Sequence, residues 1–151
     1  MSFSQDVSLV YSEMSFYIPD GYKVIVTSDI GGGMLAFKYG DEKGSNFIAL
    51  SDKTNDLSID YGCPPGEFYI ELFSPSGSTK CHKRELDALS EGFLKDGVKK
   101  VWKTSNTVFN YLDTGDSVGS FVFICRDDGK TIKVSSDFLS EDDFRKMFGI
   151  K

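Results

Sequence analysis

The sequence predicts an α+β fold built on an antiparallel sheet. Three observations carry that expectation. Short β-branched or aromatic runs, separated by Gly-, Pro- and Asp-rich turns, fill most of the chain. One mid-chain stretch, residues 82–96 (HKRELDALSEGFLKD), has a helical apolar period, with Leu86, Leu89, Phe93 and Leu94 at i, i+3, i+7 and i+8. No strand–helix–strand alternation occurs, which disfavours a doubly wound parallel sheet. Lys83, Arg84, Asp87, Glu91 and Lys95 lie on the other face of that helix, so it is expected to cover the sheet and act as the hub of the core.

The elements follow in order. Residues 7–18 read as one or two opening strands. Pro19-Asp20-Gly21 is a turn, because Pro presets φ and Gly accepts positive φ. KVIVTS (23–28) is a short strand. Gly31-Gly32-Gly33 follows it as a turn or bulge; without GxxxxGK[ST] or GxGxxG, and with a strand after it, the triple glycine is no phosphate cradle. MLAFKY (34–39) and NFIALS (46–51) form a hairpin around the loop at 40–45. Residues 52–63 are a polar connector, and Pro64-Pro65-Gly66 is expected to end regular structure. EFYIELF (67–73) reads as a strand, and SPSGST (74–79) as a loop. Ser78 or Thr79 is the expected cap of the long helix, with Asp96-Gly97 as its stop.

Four strands are expected next: residues 98–104, 107–113, 120–126 and 131–136. Thr114-Gly115-Asp116 turns the second of them, and Asp127-Asp128-Gly129-Lys130 joins the last pair as a hairpin. A short C-terminal helix over about 140–148 has Ser140 as N-cap, Asp142 and Asp143 in its first turn and Lys146 near its end, which matches the helix dipole. Phe144, Met147 and Phe148 form its apolar side.

At 151 residues and 40% hydrophobic content the chain suits one domain, residues 1–151, with a core of its own. No apolar run approaches the roughly 20 residues that cross a bilayer. The first residues lack the charged and apolar regions of a signal peptide. A cytoplasmic location is the expectation. Cys63, Cys81 and Cys125 are odd in number and widely spaced, so they are expected to be reduced, structural thiols.

Charge is unevenly placed. Residues 1–75 hold 11 acidic and 4 basic side chains, net −7; residues 76–151 hold 12 and 13, net +1. An acidic first half repels nucleic-acid phosphates and anionic membranes and attracts a basic protein. Lys80, Lys83, Arg84, Lys95, Lys99, Lys100 and Lys103 lack interleaved aromatics and read as a solvated rim.

No catalytic or metal motif emerges, and no cofactor is implied. His82 beside Cys81 is poorly placed to activate that thiol, because adjacent side chains diverge. The cysteines lack the close pairs of a zinc site. Asp52, Thr54, Asp56, Ser58 and Asp60 imitate the start of a calcium loop, but Leu57 stands where Gly is required and Cys63 where the closing Glu belongs. On a strand, Glu67, Tyr69 and Glu71 would share one face and Phe68, Ile70 and Leu72 the other. Together with Asp52, Asp56, Asp60 and Tyr61, the first set would form an acidic, aromatic surface suited to Arg and Lys of a partner protein.

The phrase Phe16-Tyr17-Ile18-Pro19-Asp20-Gly21-Tyr22 resembles the opening of PsbP-like α+β domains. The order of strands, mid-chain helix, later hairpins and terminal helix is also similar to their plan. Pro64-Pro65-Gly66 and the added strand at 67–73 depart from it. The resemblance implies a sheet flanked by helices and a binding or chaperone role without a shared catalytic motif; it carries no functional residues over. In type, a small acidic α+β chain without a catalytic signature is similar to bacterial immunity proteins. The expectation is therefore a non-catalytic protein-binding module, most specifically an immunity protein or antitoxin that blocks an effector. A chaperone or adaptor for a secreted protein is the alternative, and a small-ligand binder or enzyme the third class.

Overall fold

The computed structural model describes residues 6–29, 33–41, 46–115 and 119–150. Gly31 and Gly32, most of the loop at 40–45, and Asp116 of the expected turn lie outside them.

The chain folds as the expected α+β architecture. Strands β1 (Val7–Tyr11) and β2 (Met14–Ile18) form a separate antiparallel hairpin. Strands β3 (Val24–Ser28), β4 (Met34–Lys38), β5 (Phe47–Asp52), β6 (Val98–Lys103), β7 (Thr107–Asp113), β8 (Ser120–Arg126) and β9 (Thr131–Ser136) form one antiparallel sheet in the order β3-β4-β5-β9-β8-β7-β6. The two halves of the sheet meet where β5 pairs with β9, Leu50 opposite Val134. β3 and β6 are the edges.

Both faces of the sheet are covered, and β8 shows why. All its residues except Arg126 are buried, so alternate side chains enter two different cores. Val122 and Ile124 pack with Phe109, Tyr111, Ile132 and Val134 beneath β2 (Phe16, Ile18) and the C-terminal helix α3 (Glu141–Met147; Phe144, Met147). Phe121, Phe123 and Cys125 pack on the opposite side with Leu112, beneath helix α1 (Pro65–Phe73). The sequence-based picture of a single core is thus widened to two cores.

α1 occupies residues that read as a strand. Pro64 is extended, Pro65 sits at the first helical position, and the bond its missing N–H would make is not required there. Pro64-Pro65-Gly66 therefore starts a helix instead of ending structure. Gly66 is needed for close approach: a Cβ there would stand 2.9 Å from the Thr131 hydroxyl. Phe68 and Leu72, and Tyr69 and Phe73, are i, i+4 pairs that give one buried stripe. Burying each such side chain contributes about 1.5–3 kcal/mol. The helical arrangement separates Glu67, which is exposed, from Tyr69 and Glu71, which are buried, and turns Ile70 outward. The shared strand face is thus corrected.

The long helix is also revised. α2 (Lys83–Leu89) buries no residue, and a π-helical turn (Ser90–Leu94) continues it. Only Leu94 of the expected stripe is fully buried; Leu86, Leu89 and Phe93 are half-buried at the rim of the α1 core. The packing hub is α1. The cap position of α2 is His82, not Ser78 or Thr79, and its side chain makes no capping bond. The Thr79 hydroxyl instead accepts from the Cys81 N–H at 3.0 Å.

α3 matches its sequence signals. Ser140 Oγ accepts from Asp143 N–H, and the Asp143 carboxylate accepts from Ser140 N–H, a reciprocal capping box. The basic cluster 80–103 is exposed, as expected of a solvated rim.

Cys63 and Cys81 form a disulfide, with Cα atoms 4.8 Å apart, and Cys125 is a buried free thiol. This corrects the expectation of three reduced cysteines. The helical turn of the chain through 64–73 returns it to residue 63, a proximity invisible in a spacing of 18 residues.

Candidate functional site

The connector between β5 and α1 is a shaped loop tied down on both sides. At its start, Lys53 N–H donates to Thr131 O at 2.8 Å, and Thr131 N–H donates to the Thr54 hydroxyl at 3.0 Å. Within it, Asp52 Oδ1 accepts from Thr54 N–H and Asp56 Oδ1 from Ser58 N–H, each at 2.9 Å. These are the self-capping turns that Asp favours. At its end, His82 N–H donates to Tyr61 O at 2.8 Å, and the Cys63–Cys81 disulfide closes the base. The His82 ring Nδ1 lies 3.1 Å from Asp60 O. Gly62 has φ +72°, and a Cβ there would collide with the His82 ring.

The loop presents one apolar side chain to solvent. Leu57 is 94% exposed, between Asp56 and Ser58. A leucine held in the open on a hydrogen-bonded loop contributes nothing to the core. Single exposed apolar residues are ordinary; the distinguishing feature here is the backbone hydrogen bonding on either side of this one.

Beneath the tip runs a hydrogen-bonded file. The Tyr61 hydroxyl donates to Asp56 Oδ2 at 2.9 Å and lies 2.9 Å from the Tyr69 hydroxyl. Tyr61 has one proton, committed to the carboxylate, so Tyr69 donates to Tyr61. Burial opposes charge on Asp56, but the Ser58 and Tyr61 hydrogen bonds outweigh it and hold the carboxyl below its usual range. Burial pushes both tyrosines upward.

The seven residues expected to form the binding surface are therefore divided. Asp56, Tyr61 and Tyr69 come together, but both tyrosines are buried and act as struts under the loop. Asp60 is exposed beside His82. Glu67 is exposed on the first turn of α1. Glu71 turns the other way: its carboxylate accepts from Ser76 N–H and hydroxyl, which also hold its pKa low. Asp52 belongs to a latch. It accepts from the Ser12 hydroxyl at the β1–β2 tip and lies 3.6 Å from Lys130. Burial opposes its charge, and the Ser12 and Thr54 hydrogen bonds keep its pKa lowered all the same. Ser12 and Glu13 both have positive φ, 48° and 68°. Lys130 and Arg126 bind that strained turn through Ser12 Oγ and Glu13 O, each at 3.2 Å.

Leu57 was not singled out from sequence as a contact residue; its signal is an apolar residue in a polar run that also holds Ile59. Among the described residues no three His, Cys, Asp or Glu side chains gather as a metal-binding group. Cys81 is committed to its disulfide, and burial pushes the Cys125 thiol up to about 12, so neither offers His82 a thiolate. No helix of the described residues is long and apolar enough to cross a membrane. Compared with protein-family models, curated proteins and solved structures, the chain has no match.

Proposed function

We propose that this is a non-catalytic protein-binding module whose contact surface centres on the loop at residues 53–60. Leu57 is the anchor, the exposed Asp60 carboxylate lies on the same loop, and Asp56 holds the turn from behind through Ser58 and Tyr61. The observation that carries this reading is the 94% exposure of Leu57 on a backbone fixed by hydrogen bonds at both ends. A pre-ordered apolar anchor loses little entropy on docking. The net charge of −7 over residues 1–75 would draw a basic partner and speed its association. Within this class the reading is an immunity protein or antitoxin that occludes an effector. The disulfide favours an oxidising compartment over the reducing cytoplasm that the sequence suggested.

The test uses the partner that co-purifies from the native cell, with binding measured at low and high salt. Leu57→Asp should weaken capture by roughly thirtyfold or more. The reversal Asp60→Lys, at the exposed carboxylate, should weaken it and flatten its salt dependence. Retention of full affinity by both variants would contradict the proposal.

One observation favours a second reading, a chaperone or adaptor for an extended segment. Edge strand β3 leaves Val24, Ile25 and Val26 about half exposed, and a free sheet edge can accept an added strand. Loss of partner capture on Ile25→Pro, with Leu57→Asp silent, would select that reading.

A further inference from the structure

A cavity of about 230 Å³ lies behind the loop, between it, α1, α2 and the outer face of β8 and β9. It is smaller than the roughly 300–1,000 Å³ of pockets for drug-sized ligands. Ile59, Tyr69, Leu72, Leu89, Phe93 and Phe123 give it a largely apolar lining. Its lining also includes two lysines, Lys53 and Lys133, and one acid, Asp56.

The charges do not balance. Lys133 is opposite Phe123 in the β8–β9 register, and its Nζ sits 4.6 Å from the Phe121 ring centroid and 5.9 Å from that of Phe123. Among the described residues, no carboxylate lies within ion-pair distance of either lysine. The Asp56 carboxylate, whose ionised form the Lys53 charge favours, offsets one of the two. One positive charge is left over in a partly desolvated, aromatic-walled space. Ring faces attract an ammonium but do not neutralise it. Burial, with the charge of Lys53 added, lowers the Lys133 pKa, the direction expected of a cation short of a counter-ion.

We propose that this cavity binds a small organic monoanion with an apolar body, such as a carboxylate carrying one phenyl ring or a short alkyl chain, with Lys133 as the anion's partner. The ring or chain lies against Phe123, Phe93 and Leu89, and Lys53 supports the charge from the loop side. The cavity shares Lys53, Asp56, Ser58 and Ile59 with the loop that carries Leu57, but the inference does not require that loop to dock a protein.

The probe is 3-phenylpropionate, with 3-phenylpropan-1-ol as its uncharged counterpart, each titrated into the full chain and followed by amide NMR. The expected result is saturable shifts at Ile59, Phe93, Phe123 and Lys133, with the acid at least about tenfold tighter than the alcohol, a difference of 1.4 kcal/mol or more. Lys133→Met keeps the apolar stem and removes the charge. It should weaken the acid about tenfold or more and leave the alcohol unchanged. Lys53→Met should weaken the acid less, and it supplies the same comparison if Lys133→Met fails to fold. Equal affinity for acid and alcohol, or no saturable shift at these amides up to about 10 mM, would overturn the proposal.

Discussion

The ring of Tyr69 lies flat on the ring of Phe123, centroids 4.0 Å apart and planes 11° from parallel. This contact fastens α1 to the centre of the sheet, and the Tyr69 hydroxyl reaches from it to the Tyr61 strut under the 53–60 loop. Core and loop are thus connected through one side chain. Tyr69→Ala should cost about 3–5 kcal/mol, the range for deleting a buried aromatic ring. Tyr69→Phe keeps the stack and removes only the hydrogen bond to Tyr61, so it should cost about 1 kcal/mol. Urea unfolding measures both. A loss from Tyr69→Phe as large as that from Tyr69→Ala would mean that the stack is not what holds α1.

The disulfide closes a loop with a sequence separation of 18. In the chain-entropy account a loop of that size contributes about 3 kcal/mol by restricting the unfolded chain. Replacing both Cys63 and Cys81 by Ser should lower the unfolding free energy by that order. The amides of the 53–63 loop and α2 should lose hydrogen-exchange protection before those of β8.

The Cys125 thiol is buried, receives a 3.5 Å contact from the Asn110 amide, and has its pKa pushed up to about 12 by burial. It should resist alkylation in the native protein at pH 8 and react fully in denaturant, giving a single modified thiol by mass spectrometry while the disulfide stays intact. Fast native labelling would contradict its placement beneath α1.

Asp128 provides a pH signature. Arg126 binds its carboxylate through two nitrogens, at 3.0 and 2.8 Å, and Lys130 N–H donates to it at 3.1 Å. Those bonds, the Arg126 pair first, hold its pKa at about 2. An unfolded aspartate titrates near about 3.9. The folded value is the lower one, so the unfolded state binds the proton more readily. The contribution to stability is present above about pH 4 and is lost as pH falls toward 2. Carboxyl NMR should show the Asp128 midpoint near 2, and Asp128→Asn should remove this part of the acid sensitivity. A midpoint near 4 would mean that the Arg126 fork does not persist in solution.

Most of the fold was legible in the chain because its strands are short, apolar and separated by strong turn signals. The Asp127-Asp128-Gly129-Lys130 hairpin turn and the Ser140 N-cap have local causes, and both lie where expected. The segment EFYIELF was misread for a physical reason. Phe68, Ile70 and Leu72 alternate as in a strand, while Phe68, Tyr69, Leu72 and Phe73 recur as in a helix, and seven residues do not separate the two periods. Pro65 at the first helical position was the deciding signal. The reverse held for residues 82–96, whose helical period is clear but whose apolar stripe is only half used, since α1 already covers that face of β8. The candidate site was less legible. Its carboxylates Asp56 and Asp60 were named, but the burial of Tyr61 and Tyr69 and the gathering of Lys53 and Lys133 depend on non-local packing that spacing does not encode.

The most direct test of the account is the affinity of the co-purified partner for the Leu57→Asp variant, measured by calorimetry beside the wild type. Leu57 contributes no core contact, so the variant should unfold within about 0.5 kcal/mol of the wild type. A binding anchor of this kind should cost 2 kcal/mol or more, roughly a thirtyfold loss of affinity. Weakened binding with unchanged stability is the predicted result. Unchanged affinity in a fully folded variant would show that the 53–60 loop is not the contact surface.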